Sequence, residues 1–214
     1  MLRDVLYYVQ LVLEAALGVF GVRIYEEPRY AVVATLGDGV AVRRYAPRLA
    51  AETEVAGDDV EARSAAFRIL FAYIAGANAG AENIAMTALV ATTPPADKIA
   101  MTTPVETAPG AGGVRMRFFL PARYTAATAP RPTDARVHLI AVPEETMAVL
   151  RFSGRGAEVE LARRTAALRA VLAPTPWQPV AEPVILFYDP PFTLPSLRRT
   201  VAAVRVERSG EAWP

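Results

Sequence analysis

The chain predicts an α+β fold, a distorted β-barrel of two pseudo-symmetric βαββ-like halves with two helices packed outside and an amphipathic helix in front. Three observations carry that prediction. Most of the chain after Tyr30 has strand-like apolar patterning, two stretches repeat at helical spacing instead, and the order strand–helix–strand–strand occurs twice. No Pro-, Gly- or Ser-rich linker is long enough to separate independent domains. Residues 1–24 therefore form an N-terminal segment, and residues 25–208 form one domain.

The N-terminal segment, MLRDVLYYVQLVLEAALGVFGVRI, is apolar but interrupted by Asp4, Gln10 and Glu14. What remains uninterrupted is shorter than the roughly 20 apolar residues a membrane-spanning helix needs. No small-residue cleavage pattern precedes Tyr25, so no secretory signal is expected. Leu6, Val9, Leu13, Leu17 and Phe20 recur at helical spacing, which predicts an amphipathic helix. Such a helix packs on its own domain, associates with another copy, or lies on a membrane surface. The expected location is cytoplasmic, with this helix as the element for any membrane association.

Strands are expected at residues 40–45 and 50–55, on either side of Pro47. Asp58 and Glu61 have the spacing of a capping box. Behind them Phe67, Leu70, Phe71 and Ile74 fall at i, i+3, i+4 and i+7, one apolar helix face that ends at Gly76. Further strands are expected at residues 84–91, 99–106, 114–120, 136–142 and 146–153. A second helix over about residues 157–173 carries Leu161, Thr165, Leu168 and Leu172 on one face and stops before Pro174 and Pro176. Residues 183–188 and 200–207 supply the last strands. Within this order Ile84-Ala85-Met86-Thr87 returns as Ile99-Ala100-Met101-Thr102, fifteen positions on. A Pro-Pro-Ala-Asp turn lies between the copies, which predicts a hairpin of adjacent strands.

Composition narrows the chemistry. Of 214 residues 53% are apolar and 21% charged, enough to bury a core. A net charge of +1, from 23 basic and 22 acidic residues, gives no general electrostatic reason to bind nucleic acid. The absence of cysteine removes thiolate nucleophiles, thiolate heme ligation and Cys-based metal sites. His138 is the only histidine, so two-histidine metal motifs are ruled out. Ser153 has no G-x-S-x-G elbow around it, and no phosphate-binding glycine loop occurs, so no enzymatic activity is expected.

Tyr45-Ala46-Pro47, the stretch Phe67 to Gly76, the doubled IAMT, Arg151-Phe152-Ser153-Gly154 and Tyr188-Asp189-Pro190-Pro191 with Leu197-Arg198-Arg199 resemble the SOUL heme-binding family in order and spacing. The resemblance runs from about Tyr25 to Val206. It implies a protein that binds heme or a related tetrapyrrole non-covalently in an apolar groove, as a carrier or buffer, with no reaction established. It also implies that the first helix presents Phe67 and Phe71, with Leu70 and Ile74, to the ligand. The loop from Phe192 to Arg199 would form another wall. The family's rim lysines are missing here, or are replaced by Arg63, Arg68, Arg198 and Arg199, so the propionate partners stay open.

His138 is a weak axial candidate, because its strand phase is opposite to Val137 and Leu139 and points it outward. Apolar burial alone is adequate: about 400 Å² of ligand surface at about 25 cal/mol per Å² gives roughly 10 kcal/mol gross. After association costs that leaves roughly micromolar binding without a metal bond. Two other readings remain open, a small-molecule module of the related regulator-type barrel and a protein-interaction module with no heme role.

Overall fold

A computed structural model describes residues 25–57, 60–79, 96–190 and 193–210. Two compact units divide the chain. Glu26–Ala31 and Arg44–Glu145 make a central unit, while Val32–Arg43 and Thr146–Pro214 belong to a C-terminal unit. In chain order the elements are β1 (Tyr30–Thr35), β2 (Val40–Tyr45), β3 (Arg48–Ala56), α1 (Val60–Ala75), β4 (Asn78–Ala79), β5 (Val105–Pro109), β6 (Gly113–Phe119), β7 (Arg131–Pro132), β8 (His138–Val142), β9 (Glu145–Phe152), α2 (Glu158–Leu172), β10 (Trp177–Pro179), β11 (Val184–Phe187) and β12 (Thr200–Arg208). Each unit holds one of the helices with antiparallel strands, so the class is α+β.

In the central unit the strand order is β5-β6-β3-β8. Ala51 faces Phe118 and Ala50 faces Phe119, while Glu52 is opposite both Arg117 and His138. Alternation therefore sends Ala51, Thr53, Met116 and Phe118 to one side and Arg48, Glu52, Arg117 and Phe119 to the other. Helix α1 packs on β3 and β6, where Phe118 takes the edge of Phe67 at 5.3 Å. The β5–β6 turn closes through a Gly110 N–H donated to Gly113 O at 2.6 Å. Gly113, at φ +159°, lies so close to β3 that a Cβ would stand 2.1 Å from Val55 O. Only glycine fits there.

The C-terminal unit has the order β1-β2-β9-β12-β11, with β10 also paired to β12. Val201, Ala202, Ala203 and Val204 are all buried, because β12 is flanked by β9 and β11. Helix α2 lays Leu168 and Leu172 on Val40, Val42, Leu150, Phe152 and Val204. That is the apolar face expected of the second helix.

Three expectations change. First, α1 does not bury a Phe67–Leu70–Phe71–Ile74 face: its buried residues are Ala62, Ala66, Leu70, Tyr73 and Ile74. The small alanines let the helix approach the sheet closely, and the phenylalanines turn aside. Second, β5 begins only at Val105, and residues 99–103 form no strand ladder. Their backbone groups are taken up elsewhere: Ile99 N–H donates to Ile74 O at 2.9 Å and Thr103 N–H to Glu26 O at 3.0 Å. Pro104 has no N–H to offer a ladder. Third, the strand expected from Arg136 starts at His138, because the Asp134 carboxylate binds Arg136 through its N–H and guanidinium. The helix expected within residues 1–24, the cap expected at Asp58 and the strand expected at 84–91 lie outside the described residues.

Candidate functional site

Gly76, at φ +122°, stops α1 where expected. Asn78 then closes the helix end, its Nδ2 donating to Tyr73 O and Asp97 O, both at 2.8 Å, while its Oδ1 accepts from Asp97 N–H at 3.0 Å. Tyr73 donates its hydroxyl to Pro130 O at 2.8 Å, and burial pushes its pKa well up. These contacts fix the rotation of the helix. They leave Val60, Ser64, Arg68, Phe71 and Ala75 exposed along one side, with Phe67 half-buried between them.

Phe71 is 47% exposed. Its ring lies 5.9 Å from that of Phe67 at 13° between planes, and Phe67 is braced from below by Phe118. An offset pair of nearly parallel rings, backed by the sheet, makes a flat apolar platform. Arg63 is half-buried and Arg68 exposed on the same helix. Leu70 and Ile74, expected beside the phenylalanines, are 0% and 5% exposed and face the core instead.

The arginines of the last loop belong to the C-terminal unit. Arg198 donates from Nε to Thr193 O at 2.8 Å and from Nη1 to Arg155 O at 3.4 Å. Arg199 stacks over Tyr188, 3.8 Å from the ring centroid. Its backbone N–H donates to the Asp189 carboxylate. Tyr188, Asp189 and the paired arginines thus brace their own loop; Pro191 and Phe192 lie outside the described residues. His138 is exposed on β8, in keeping with its strand phase. Among the described residues no cluster of three or more His, Cys, Asp or Glu could hold a metal ion, and no helix is long and apolar enough to cross a membrane.

The sequence reading missed one charged assembly. On the sheet side away from α1, Arg117 pairs through Nε with Glu52 at 2.5 Å and through Nη1 with Glu106 at 3.0 Å. Arg115 Nε also approaches Glu52, at 3.9 Å. Glu106 is 3% exposed, and burial raises its pKa against the lowering pull of Arg117. The signal was present as two alternating charge patterns of opposite sign, Glu52-Thr53-Glu54 and Arg115-Met116-Arg117. They face each other only once β3 and β6 are paired.

Among the described residues, antiparallel strands and two α-helices define an α+β fold. The chain belongs to the SOUL heme-binding protein family, whose pattern matches residues 25–203. No curated protein matches the sequence. Among solved structures, the EcmrR C-terminal domain superposes with a TM-score of 0.53 at 9% identity, covering 79% of this chain and 97% of that one. A hydrolase from Listeria innocua gives a TM-score of 0.48 at 13% identity, covering 86% of this chain and 93% of its own.

Proposed function

We propose that the chain binds heme or a related tetrapyrrole on the outer face of α1, as a carrier or buffer without an obligatory axial ligand. Family membership supports the ligand class, and one observation carries the position. The stacked Phe67–Phe71 pair leaves a large ring 47% exposed on a helix otherwise firmly packed. A tetrapyrrole is a broad apolar disc with two carboxylates on one edge. A flat aromatic platform takes the disc, and the guanidinium groups of Arg63 and Arg68 suit the carboxylates. No histidine shares α1, so apolar contact dominates the affinity.

An absorbance titration with heme and with metal-free porphyrin, run in parallel, tests this reading. It predicts saturable spectral shifts with both ligands and affinities within about tenfold of each other, because iron ligation adds little. Absence of a shifted Soret band with either ligand would overturn it. Binding of heme alone would overturn the ligation-free part.

A further inference from the structure

We propose that the tetrapyrrole is held between two copies of this chain, with one α1 platform on each face of the disc. This deepens the binding reading above and rests on it. Ligand sites usually bury about 70–90% of the ligand's surface. Phe67 and Phe71 reach one face only, because Phe118 and the sheet lie behind them and solvent lies in front. A disc resting on one open platform therefore keeps its other apolar face in water.

The symmetry of the ligand selects what covers that second face. The two faces of the macrocycle are nearly equivalent, and its two carboxylates lie on either side of an axis in the plane of the disc. A two-fold dimer axis along that line exchanges both the faces and the carboxylates, so the same protein patch serves twice. Charge fits the same arrangement. Helix α1 carries Glu61 against Arg63 and Arg68, a surplus of one positive charge on each copy. Arg63 stands four residues before Phe67 and Arg68 three before Phe71, which are neighbouring positions on a helix surface. Two such helices facing each other repel when empty, and the two carboxylates of the ligand offset that surplus. Ser64, Ala72 and Ala75 are also exposed on α1 and are small, so a second helix has room to come up to the disc.

The test titrates the full chain with metal-free protoporphyrin, followed by absorbance and by the distance between spin labels. Absorbance should saturate at one porphyrin for two chains. The sequence contains no cysteine, so Ala75→Cys takes a single label on the exposed side of α1. Two helices of about 10–12 Å diameter on either side of one disc bring the paired labels within about 30 Å of each other. That short distance should appear on adding porphyrin and be absent without it. Saturation at one porphyrin per chain, or labels that do not approach when porphyrin binds, would overturn the sandwich and leave binding to a single platform standing. No porphyrin binding at all would remove the platform reading and the sandwich with it.

Discussion

Glu106 is a carboxyl group held where water scarcely reaches. Burial makes its charged form costly, Arg117 offsets part of that cost, and the balance still lies above the ordinary value of 4.5. The folded chain therefore keeps this proton to a higher pH than the unfolded chain does. Stability tied to it is complete below 4.5 and is lost as the pH climbs through the folded value. Glu106→Gln should flatten the fall in melting temperature as the pH rises above 4.5, which thermal melts at several pH values will show. His138 makes the opposite kind of prediction. Exposed on β8 and away from α1, it should matter little to the ligand. His138→Ala should leave heme affinity within about threefold and the Soret position unchanged. A lost bound spectrum would restore the histidine as a ligand. Its outward aspect was legible from strand phase alone. The burial of Glu106 was not, since nothing local in Pro104-Val105-Glu106-Thr107 distinguishes it from a solvated strand residue.

Helix α1 shows where periodicity ends as a guide. Its length and its Gly76 stop could be read from the residues, because both depend on local spacing and backbone conformation. Its rotation could not. The largest apolar side chains, Phe67 and Phe71, attract the eye, whereas close packing on β3 and β6 selects the narrow stripe of Ala62, Ala66, Leu70 and Tyr73. Helix α2 has no such conflict, and its leucines face the core as expected. The two sides of α1 should therefore answer differently to truncation. Leu70→Ala removes a fully buried side chain and should cost about 2–5 kcal/mol of stability, measured by denaturant unfolding. Phe71→Ala should cost under about 1 kcal/mol. Equal losses would mean that Phe71 belongs to the core. The second IAMT copy teaches a related lesson. Its alternation suggests a strand, but Ile99 and Thr103 give their N–H groups to Ile74 O and Glu26 O, partners no local pattern reveals.

At the scale of the whole molecule, the family match begins at residue 25 and the first strand among the described residues at Tyr30. A chain lacking residues 1–24 should therefore fold, with oligomeric state or vesicle binding altered and heme binding retained. Light scattering and vesicle co-sedimentation on the truncated chain check this, and a truncated chain that does not fold would place the segment in the core. Tetrapyrrole binding to the apolar face of α1 without iron ligation stands or falls on Phe71→Glu. A charge set against the macrocycle loses apolar contact and must be desolvated, together about 2–4 kcal/mol, or roughly thirty- to a thousand-fold in affinity. Because Phe71 is 47% exposed, the same carboxylate stays hydrated in the ligand-free protein and should barely move the melt. Heme titration of this variant beside its thermal melt is the decisive measurement. Lost heme binding with a near-native melting temperature is expected; wild-type affinity, or a collapsed melt without ligand, would overturn the platform as the binding site.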